Sequence, residues 1–471
     1  MTFNSLSFLI FALVVFPLYW ISGHRTQNRL LLAASLFFYG SWDWRFLSLL
    51  LVTVGVDYGC GRQIARASQG RVRRFYLILS IASNLGILGF FKYFNFFQEN
   101  LIRFAGFWGL SMDPWLLHVI LPVGISFYTF QSMSYVIDVY RGHIPPARSL
   151  PEFALFVSYF PQLVAGPIER AANLLPQLTN PRQVTRQQFS EGCWLILWGL
   201  YKKVYVADHL AKLVTPVFEK STGWSGAEIL LALYAFAFQI YGDFSGYSDM
   251  ARGLAKLMGV ELMINFGMPY RVTSPREFWR HWHISLSEWV RDYVYIPLGG
   301  NRGGERKIYR NLMLALLAGG LWHGAGWTFI VWGFYHGILL CGQRLLERHG
   351  PGPQKDAKGK PFWLVFLQGA AMFHLVCLGW LFFRADSLGQ CAAMLKVVFF
   401  NFGTPSLHTL FYLAVSLWFL ALIAVIAKPF EGGLVIFRWP WWVRGLVFFV
   451  TFYSVVIFGV LNGQQFIYFQ F

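Results

Sequence analysis

Two histidines stand where an imidazole has chemistry to do. His283 lies in the charged, aromatic run Ser-Pro-Arg-Glu-Phe-Trp-Arg-His-Trp-His-Ile-Ser-Leu-Ser (274–287). His323 interrupts an apolar run at Gly-Gly-Leu-Trp-His-Gly-Ala-Gly (319–326). An imidazole is a ready proton acceptor near neutral pH, and a positioned one can take the proton of a hydroxyl as it attacks a carbonyl. An ionisable side chain at membrane depth is costly to place, which makes it a functional candidate by default.

The elements that must position them follow from the local pattern. Ser274 is a candidate N-cap, Pro275 suits the first helical position and Glu277 completes a capping box. At helical spacing Phe278, Trp282, Leu286 and Trp289 share one face with Trp279 and Val290, while Glu277, His281, Glu288 and Asp292 share the other. His283 falls at the edge of the apolar face beside Arg280 and Ser287, so it is expected to look inward; His281 is expected to be solvated and to pair with Glu277. A helix lying at the headgroups and anchored by Arg and Trp fits the same pattern. Around His323, Gly319, Gly320, Gly324 and Gly326 permit close backbone approach and a helix break. Non-helical backbone at membrane depth survives in a protein interior or a water-filled cavity, so His323 is expected to line a cavity; a buried histidine bonded to a carbonyl is the alternative.

Other constellations carry less. Tyr-Gly-Asp-Phe-Ser-Gly-Tyr-Ser-Asp (241–249) sits near the inner end of an apolar segment, and Asp243 there needs a partner, either an arginine or a histidine that it orients. Ser245 belongs to the same run. Gly299-Gly-Asn301-Arg-Gly-Gly304 is a glycine-rich turn with no strand-to-helix context for a phosphate loop. His336 reads as a packed core histidine. There is no Gly-x-Ser-x-Gly elbow and no His-Glu-x-x-His, the scattered histidines 283, 323 and 336 make no metal site, and Cys60, Cys193, Cys341, Cys377 and Cys391 show no disulfide framework.

Of 471 residues, 56% are hydrophobic, 19% aromatic and 13% charged, which excludes disorder and an ordinary soluble domain. Repeated apolar runs predict an all-α, polytopic membrane protein with roughly 11 transmembrane or re-entrant helices. No long polar stretch is present to house a second domain, so residues 1–471 read as one membrane domain. The excess of 39 Lys+Arg over 22 Asp+Glu reflects basic loops facing the cytoplasm and anionic lipid rather than nucleic acid.

Residues 3–22 read as a retained first span followed by Arg25 and Arg29. Residues 30–41 and 46–58 read as a short hairpin, 75–97 and 117–140 as crossings, and 152–166, with basic flanks, as a re-entrant segment. Further crossings are expected at 193–215, 227–250, 362–383, 408–427 and 443–462, with 311–323 and 326–343 paired around His323. The basic loops after residues 22, 58, 140, 250 and 343 place both termini outside the membrane.

The runs Glu277-Phe-Trp-Arg-His-Trp-His283-Ile-Ser, Arg291-Asp-Tyr-Val-Tyr-Ile-Pro-Leu-Gly-Gly-Asn301 and Gly320-Leu-Trp-His323-Gly-Ala resemble the membrane-bound O-acyltransferase family, most closely its bacterial alginate O-acetylation branch. Phe90-Phe-Lys-Tyr-Phe-Asn95, Leu121-Pro-Val-Gly-Ile-Ser-Phe-Tyr128, Ile137-Asp-Val-Tyr-Arg141 and Ala165-Gly-Pro-Ile168 extend the resemblance over most of the chain. It departs from the family pattern at His281, where arginine is expected.

The resemblance implies a multi-helix fold with a funnel on each side and a central histidine. It carries the family's most characteristic histidine onto His323 and the second onto His283, with Asp243, Ser245, Arg280, Trp322 and Asn301 as supporting or cavity residues. It implies an acyl thioester donor in the cytoplasm, acetyl-CoA, with no tightly bound cofactor and no metal. It further implies an extracytoplasmic polysaccharide such as an alginate-like polymer, peptidoglycan or cellulose. The implied setting is the bacterial inner membrane beside a separate SGNH-type transferase. On this reading His323 is the base and His283 supports it, and their order is open. The C-terminal Phe466-Ile-Tyr-Phe-Gln-Phe471 resembles a Phe-x-Tyr-x-x-Phe tail of related acyl-export systems, which implies Tyr468 as an acyl relay; an aromatic belt at the outer interface is the alternative. A transporter or flippase with a midplane histidine, and a non-catalytic membrane subunit, are the rival classes.

Overall fold

The computed structural model of the chain describes residues 1–111, 120–220, 222–349, 361–426, 432–460 and 466–467. These residues form helices and connecting turns, with no strand among them. Among the described residues six helices are long and apolar enough to cross a membrane: Gly70–Phe107, Gly226–Lys256, Trp327–His349, Phe362–Arg384, Leu407–Ile426 and Trp441–Phe458. The last of these buries little of itself and exposes Leu446, Phe449, Phe452, Val456 and Ile457, as a lipid-facing helix does. The chain is a multi-pass membrane protein. Its described residues cluster in two compact units, one made of 1–193 with 250–263 and the other of 194–249 with 264–471.

The first unit opens with α1 (Leu6–Trp20), α2 (His24–Gly40), α3 (Leu47–Arg66), α4 (Gly70–Leu88) and α5 (Phe94–Phe107). It continues through α6 (Ile125–Arg141), α7 (Leu150–Ser158), α8 (Phe160–Leu163) and α9 (Ala171–Thr179). The hairpin expected over 30–41 and 46–58 consists of two longer helices, α2 and α3, because their polar ends continue the helix where apolar character stops. A short 3-10 turn at Trp44–Phe46 joins them, with the Asp43 carboxylate accepting the Arg45 amide at 3.0 Å. Residues 152–166 break at Tyr159 into α7 and α8, whose residues from Phe153 to Leu163 are buried. Phe8, Phe11, Phe38 and Phe160 pack ring against ring at 5.3–6.4 Å centroid separation. Asp57 of α3 is fully buried and collects Ser80 Oγ (2.6 Å), Asn84 Nδ2 (2.8 Å) and Ser132 Oγ (2.5 Å), tying α3 to α4 and α6. A buried carboxylate needs such donors to be tolerated.

Helix α10 (Arg186–Leu200) leads into the second unit, followed by a π-helical stretch at Tyr201–Ala207 and α11 (Asp208–Glu219). Then come α12 (Gly226–Lys256), α13 (Pro275–His281), α14 (Ile284–Val290), α15 (Glu305–His323) and α16 (Trp327–His349). The unit ends with α17 (Phe362–Arg384), α18 (Leu388–Phe400), α19 (Leu407–Ile426) and α20 (Trp441–Phe458). Helix α18, capped by Ser387 Oγ on the Gln390 amide at 3.1 Å, has no counterpart among the expected elements. Two close approaches shape the unit. A Cβ at Gly320 of α15 would run into the Phe329 carbonyl, and one at Gly333 of α16 into the Leu316 carbonyl, so this helix pair needs glycine at both positions. A Cβ at Gly242 or Gly246 of α12 would sit 3.0 Å from the Lys202 carbonyl or 2.8 Å from that of Gly199, so α12 lies directly on the π-helical stretch.

Candidate active site

The capped helix expected at Ser274 starts as read: Ser274 Oγ accepts the Glu277 amide at 3.3 Å. Glu277 reaches back one residue further than a capping box does, accepting the Thr273 amide at 2.8 Å. The helix does not run on to Asp292. It stops at His281, and α14 begins at Ile284. His283 between them adopts left-handed backbone angles, φ 42° and ψ 56°, and is the one positive-φ residue other than glycine among the described residues.

That conformation costs about 1–2 kcal/mol for a side chain with a Cβ. Asn265 offsets it. Its main-chain carbonyl accepts the Ile284 amide at 2.9 Å. Its side-chain oxygen accepts Ser285 Oγ at 2.9 Å and the Ser285 amide at 3.3 Å. Such bonds contribute about 0.5–1.5 kcal/mol each. Trp282, fully buried against Phe266, Phe278 and Trp380 at 4.7–5.8 Å, anchors the break.

The break defines a tautomer. A backbone amide can only donate, so the Asn265 atom facing Ser285 is the oxygen, and His283 Nδ1 at 3.2 Å from it must carry the proton. Asn265 Nδ2 in turn donates to Ser248 Oγ at 3.2 Å. Nε2 of His283 therefore keeps the lone pair that a base needs. Burial pushes the His283 pKa down to about 3, so the ring is neutral at physiological pH.

His323 ends α15. The chain turns extended at Gly324, where a Cβ would strike the Phe329 ring. The His323 ring packs on Trp322, Trp332 and Phe383 at 4.9–5.2 Å and lies 6.4 Å from the His283 ring, centroid to centroid. Trp322 also touches His283, at 5.7 Å. The two histidine rings thus lie near each other, with Trp322 against both.

His323, not His283, borders a cavity of about 690 Å³. Arg276, Arg280, Arg291, Arg344 and Asn301 line the same cavity. Tyr295 donates its hydroxyl to Asn301 Oδ1 at 2.7 Å. Three of the arginines are ion-paired at 2.8–2.9 Å, Arg276 to Glu347, Arg344 to Glu305 and Arg291 to Asp292. All three pairs are partly exposed, and such pairs contribute about 0–1 kcal/mol, little enough to be exchanged for an anion.

The remaining expected residues fall elsewhere. Asp243 pairs with Lys203, at 2.8 Å, rather than with an arginine or a histidine. Ser245 accepts Lys202 Nζ at 2.9 Å. His281 is half-buried, and its Nδ1 meets the Glu277 main-chain carbonyl at 2.9 Å in place of the carboxylate. His336 is buried, with Phe278, Trp279 and Trp332 at 4.9–5.7 Å. Among the described residues no group of three or more His, Cys, Asp or Glu is placed to hold a metal ion. Tyr468 lies outside the described residues.

Sequence reasoning missed Asn265, Ser248, Ser285, Lys203 and Asp208. Asn265 is a single polar residue in the apolar stretch Leu-Met-Ile-Asn-Phe, and that interruption was its one visible signal.

Two buried imidazoles thus lie near each other, and one of them, His323, borders a cavity with several arginines in its lining. The chain belongs to the membrane-bound O-acyltransferase family, whose model matches residues 143–354. It is 45% identical over 413 residues to the "Probable alginate O-acetylase AlgI" of Pseudomonas aeruginosa, a match covering 87% of this chain and 77% of that protein. It is 38% identical over 397 residues to the peptidoglycan O-acetyltransferase of Helicobacter pylori, covering 78% and 72%. A teichoic acid D-alanyltransferase of Streptococcus thermophilus is 29% identical over 282 residues, covering 55% and 68%. The protein is a membrane-bound O-acyltransferase.

The two histidines of α13 and the following break separate by substitution. His283→Ala removes a ring wedged between Phe244 and Trp322 at 4.6 and 5.7 Å and beside His323. It is expected to lower turnover by at least about tenfold, a smaller loss than the roughly 10²–10⁴ of a missing general base because His283 has the supporting role. His281→Ala removes a half-buried ring at the end of α13 and is expected to cost far less. Turnover of the two purified variants checks this, and equal losses would contradict the placement.

Proposed function

We propose that this acyltransferase takes an acetyl group from acetyl-CoA in the cytoplasm and passes it across the membrane for O-acetylation of an extracytoplasmic polysaccharide. The observation that carries the donor side is the cavity with His323 on its wall and Arg276, Arg280, Arg291 and Arg344 among its lining. A CoA thioester is a long thiol arm on a phosphate-rich nucleotide. Guanidinium groups suit the phosphates, and the acyl end would then reach the imidazole. The relatives named for alginate and peptidoglycan acetylation support a polysaccharide acceptor.

In this reading an acceptor oxygen attacks the thioester carbonyl while His323 Nδ1 or Nε2 takes its proton. The tetrahedral oxyanion collapses, the carbon–sulfur bond breaks, and the thiol leaves with that proton. His283, neutral and held by Asn265 through its Nδ1 proton, has only the Nε2 lone pair to offer, so it supports the site by accepting and orienting a donor group there, and exchange of the two roles is the alternative assignment. The first acceptor is the Tyr468 phenol, which becomes an aryl ester. A separate extracytoplasmic transferase of the SGNH type then attacks that ester with its serine, and the phenol oxygen leaves and regains a proton. An aryl ester is more activated than the alkyl ester that replaces it, so this transfer runs downhill. Residues 1–471 act as one domain in the inner membrane, with basic loops inside and both termini outside.

The donor assignment is tested at the arginines. Arg280→Glu is expected to raise KM for acetyl-CoA about tenfold, the loss of one charge-assisted contact worth about 1.5 kcal/mol. KM for S-acetylpantetheine, which lacks the nucleotide, is expected to stay within about twofold. Equal shifts for both donors would remove the nucleotide from this lining.

A further inference from the structure

Between α12 and the π-helical stretch 201–207 lies a buried charge cluster that the acyl-transfer chemistry does not use. Asp243 is 3% exposed, Lys203 6% and Asp208 4%. Lys203 Nζ is 2.8 Å from Asp243 Oδ1 and 2.9 Å from Asp208 Oδ1. Two carboxylates thus share one ammonium, and Asp243 turns its other oxygen elsewhere. Oδ2 accepts the backbone amide of Ile467 at 2.7 Å, from 224 positions along the chain.

The neighbouring residue points the same way. Phe466 is 4% exposed, with its ring 5.8 Å from Phe244 and 5.0 Å from Tyr247. Phe244 lies edge-on to His283 at 4.6 Å. A second tie precedes it: the Val460 amide donates at 3.0 Å to the Val204 carbonyl in the π-helical stretch. Such a stretch departs from the i to i−4 ladder and commonly marks functional positions.

We infer that Asp243, held by Lys203, is a docking residue for the chain's own Phe466-Ile467 pair, which it fixes against Phe244 and so near His283, one position before the residue that the relay reading makes the acyl carrier. A carboxylate accepting a backbone amide makes a short, strong bond, and a buried carboxylate oxygen left without that amide would be costly. The bond goes to the main chain, so it fixes the segment's path without reading its side chains. The inference rests on the relay reading of Tyr468 only for its purpose; the docking itself stands on Asp243, Ile467 and Phe466.

Ile467→Pro removes the amide hydrogen and leaves Asp243, Lys203 and Asp208 in place, and Ile467→Ala keeps the amide. Full-length protein in nanodiscs, supplied with acetyl-CoA and the extracytoplasmic partner, is assayed for kcat, KM for donor, and hydrogen exchange of the C-terminal peptide. Ile467→Pro is expected to lower kcat for polysaccharide acetylation at least tenfold with KM for donor within about twofold. Ile467→Ala is expected to retain most of it. Asp243→Ala, in which Lys203 keeps Asp208, is expected to speed exchange of the Ile467 amide at least tenfold, and Asp243→Asn, which keeps an acceptor oxygen, to retain part of the protection. Wild-type acetylation by Ile467→Pro, or unchanged exchange in Asp243→Ala, would overturn the docking role. Tyr468→Phe measured alongside separates the two ideas: if it retains acetylation while Asp243→Ala still frees the amide, the relay falls and the docking stands.

Discussion

His323→Ala should abolish acyl transfer while the protein still inserts and folds. The ring sits at the last position of α15, on the wall of the cavity, with its neighbour Gly324 already out of the helix. Removing a positioned base costs about 10²–10⁴ in rate, which would leave turnover near background. The packing loss is tolerable. Trp322, Trp332 and Phe383 lose one face of contact, while the close backbone approach of α15 and α16 at Gly320 and Gly333 stays in place. Thiol release from acetyl-CoA by purified, monodisperse variant measures the effect. His323→Gln, which keeps a polar group of comparable length, should be as inactive. Substantial turnover in a well-folded His323→Ala protein would sink the assignment of the base.

The second large effect is expected at the C-terminus. Tyr468→Phe keeps the ring and deletes the one oxygen a relay requires. Polysaccharide acetylation should fall to background, while binding of donor is unchanged. The position follows Ile467, whose amide is held by Asp243, and Phe466, which packs toward Phe244 beside His283. Mass spectrometry of wild type with donor and no acceptor should find an acetylated C-terminal peptide, absent in Tyr468→Phe. Wild-type polysaccharide acetylation by Tyr468→Phe would leave the tail as an anchor.

What could be read in advance follows the range of the interaction. His323 announced itself locally, because four glycines and an apolar context surround it within eight residues. The α13 start was legible for the same reason, since a cap acts within one turn. The break at His283 was not. Helical spacing put Phe278, Trp282 and Leu286 on one face, and the continuous pattern hid a left-handed residue stabilised from Asn265, 18 positions away. Inward placement of His283 was still correct, because burial of Trp282 and Leu286 brings their neighbour inside whether or not the helix continues. The partner of Asp243 was invisible for the same reason: Lys203 lies inside the expected crossing 193–215 and meets Asp243 only once α12 is laid upon it. Helix α18 escaped notice because its 13 residues, Leu388–Phe400, fall short of membrane-spanning length.

Transfer is expected to be vectorial, with an acyl group entering from a cytoplasmic thioester and emerging on the opposite face. Protein reconstituted in sealed vesicles of one orientation, with acetyl-labelled CoA confined to the cytoplasmic face and the extracytoplasmic transferase with its polysaccharide on the other, tests it most directly. Labelled O-acetyl esters are expected on the polysaccharide, with none when donor is supplied only on the polysaccharide's side and none from His323→Ala. Labelling that is equally fast from either face, or that survives His323→Ala, would contradict it.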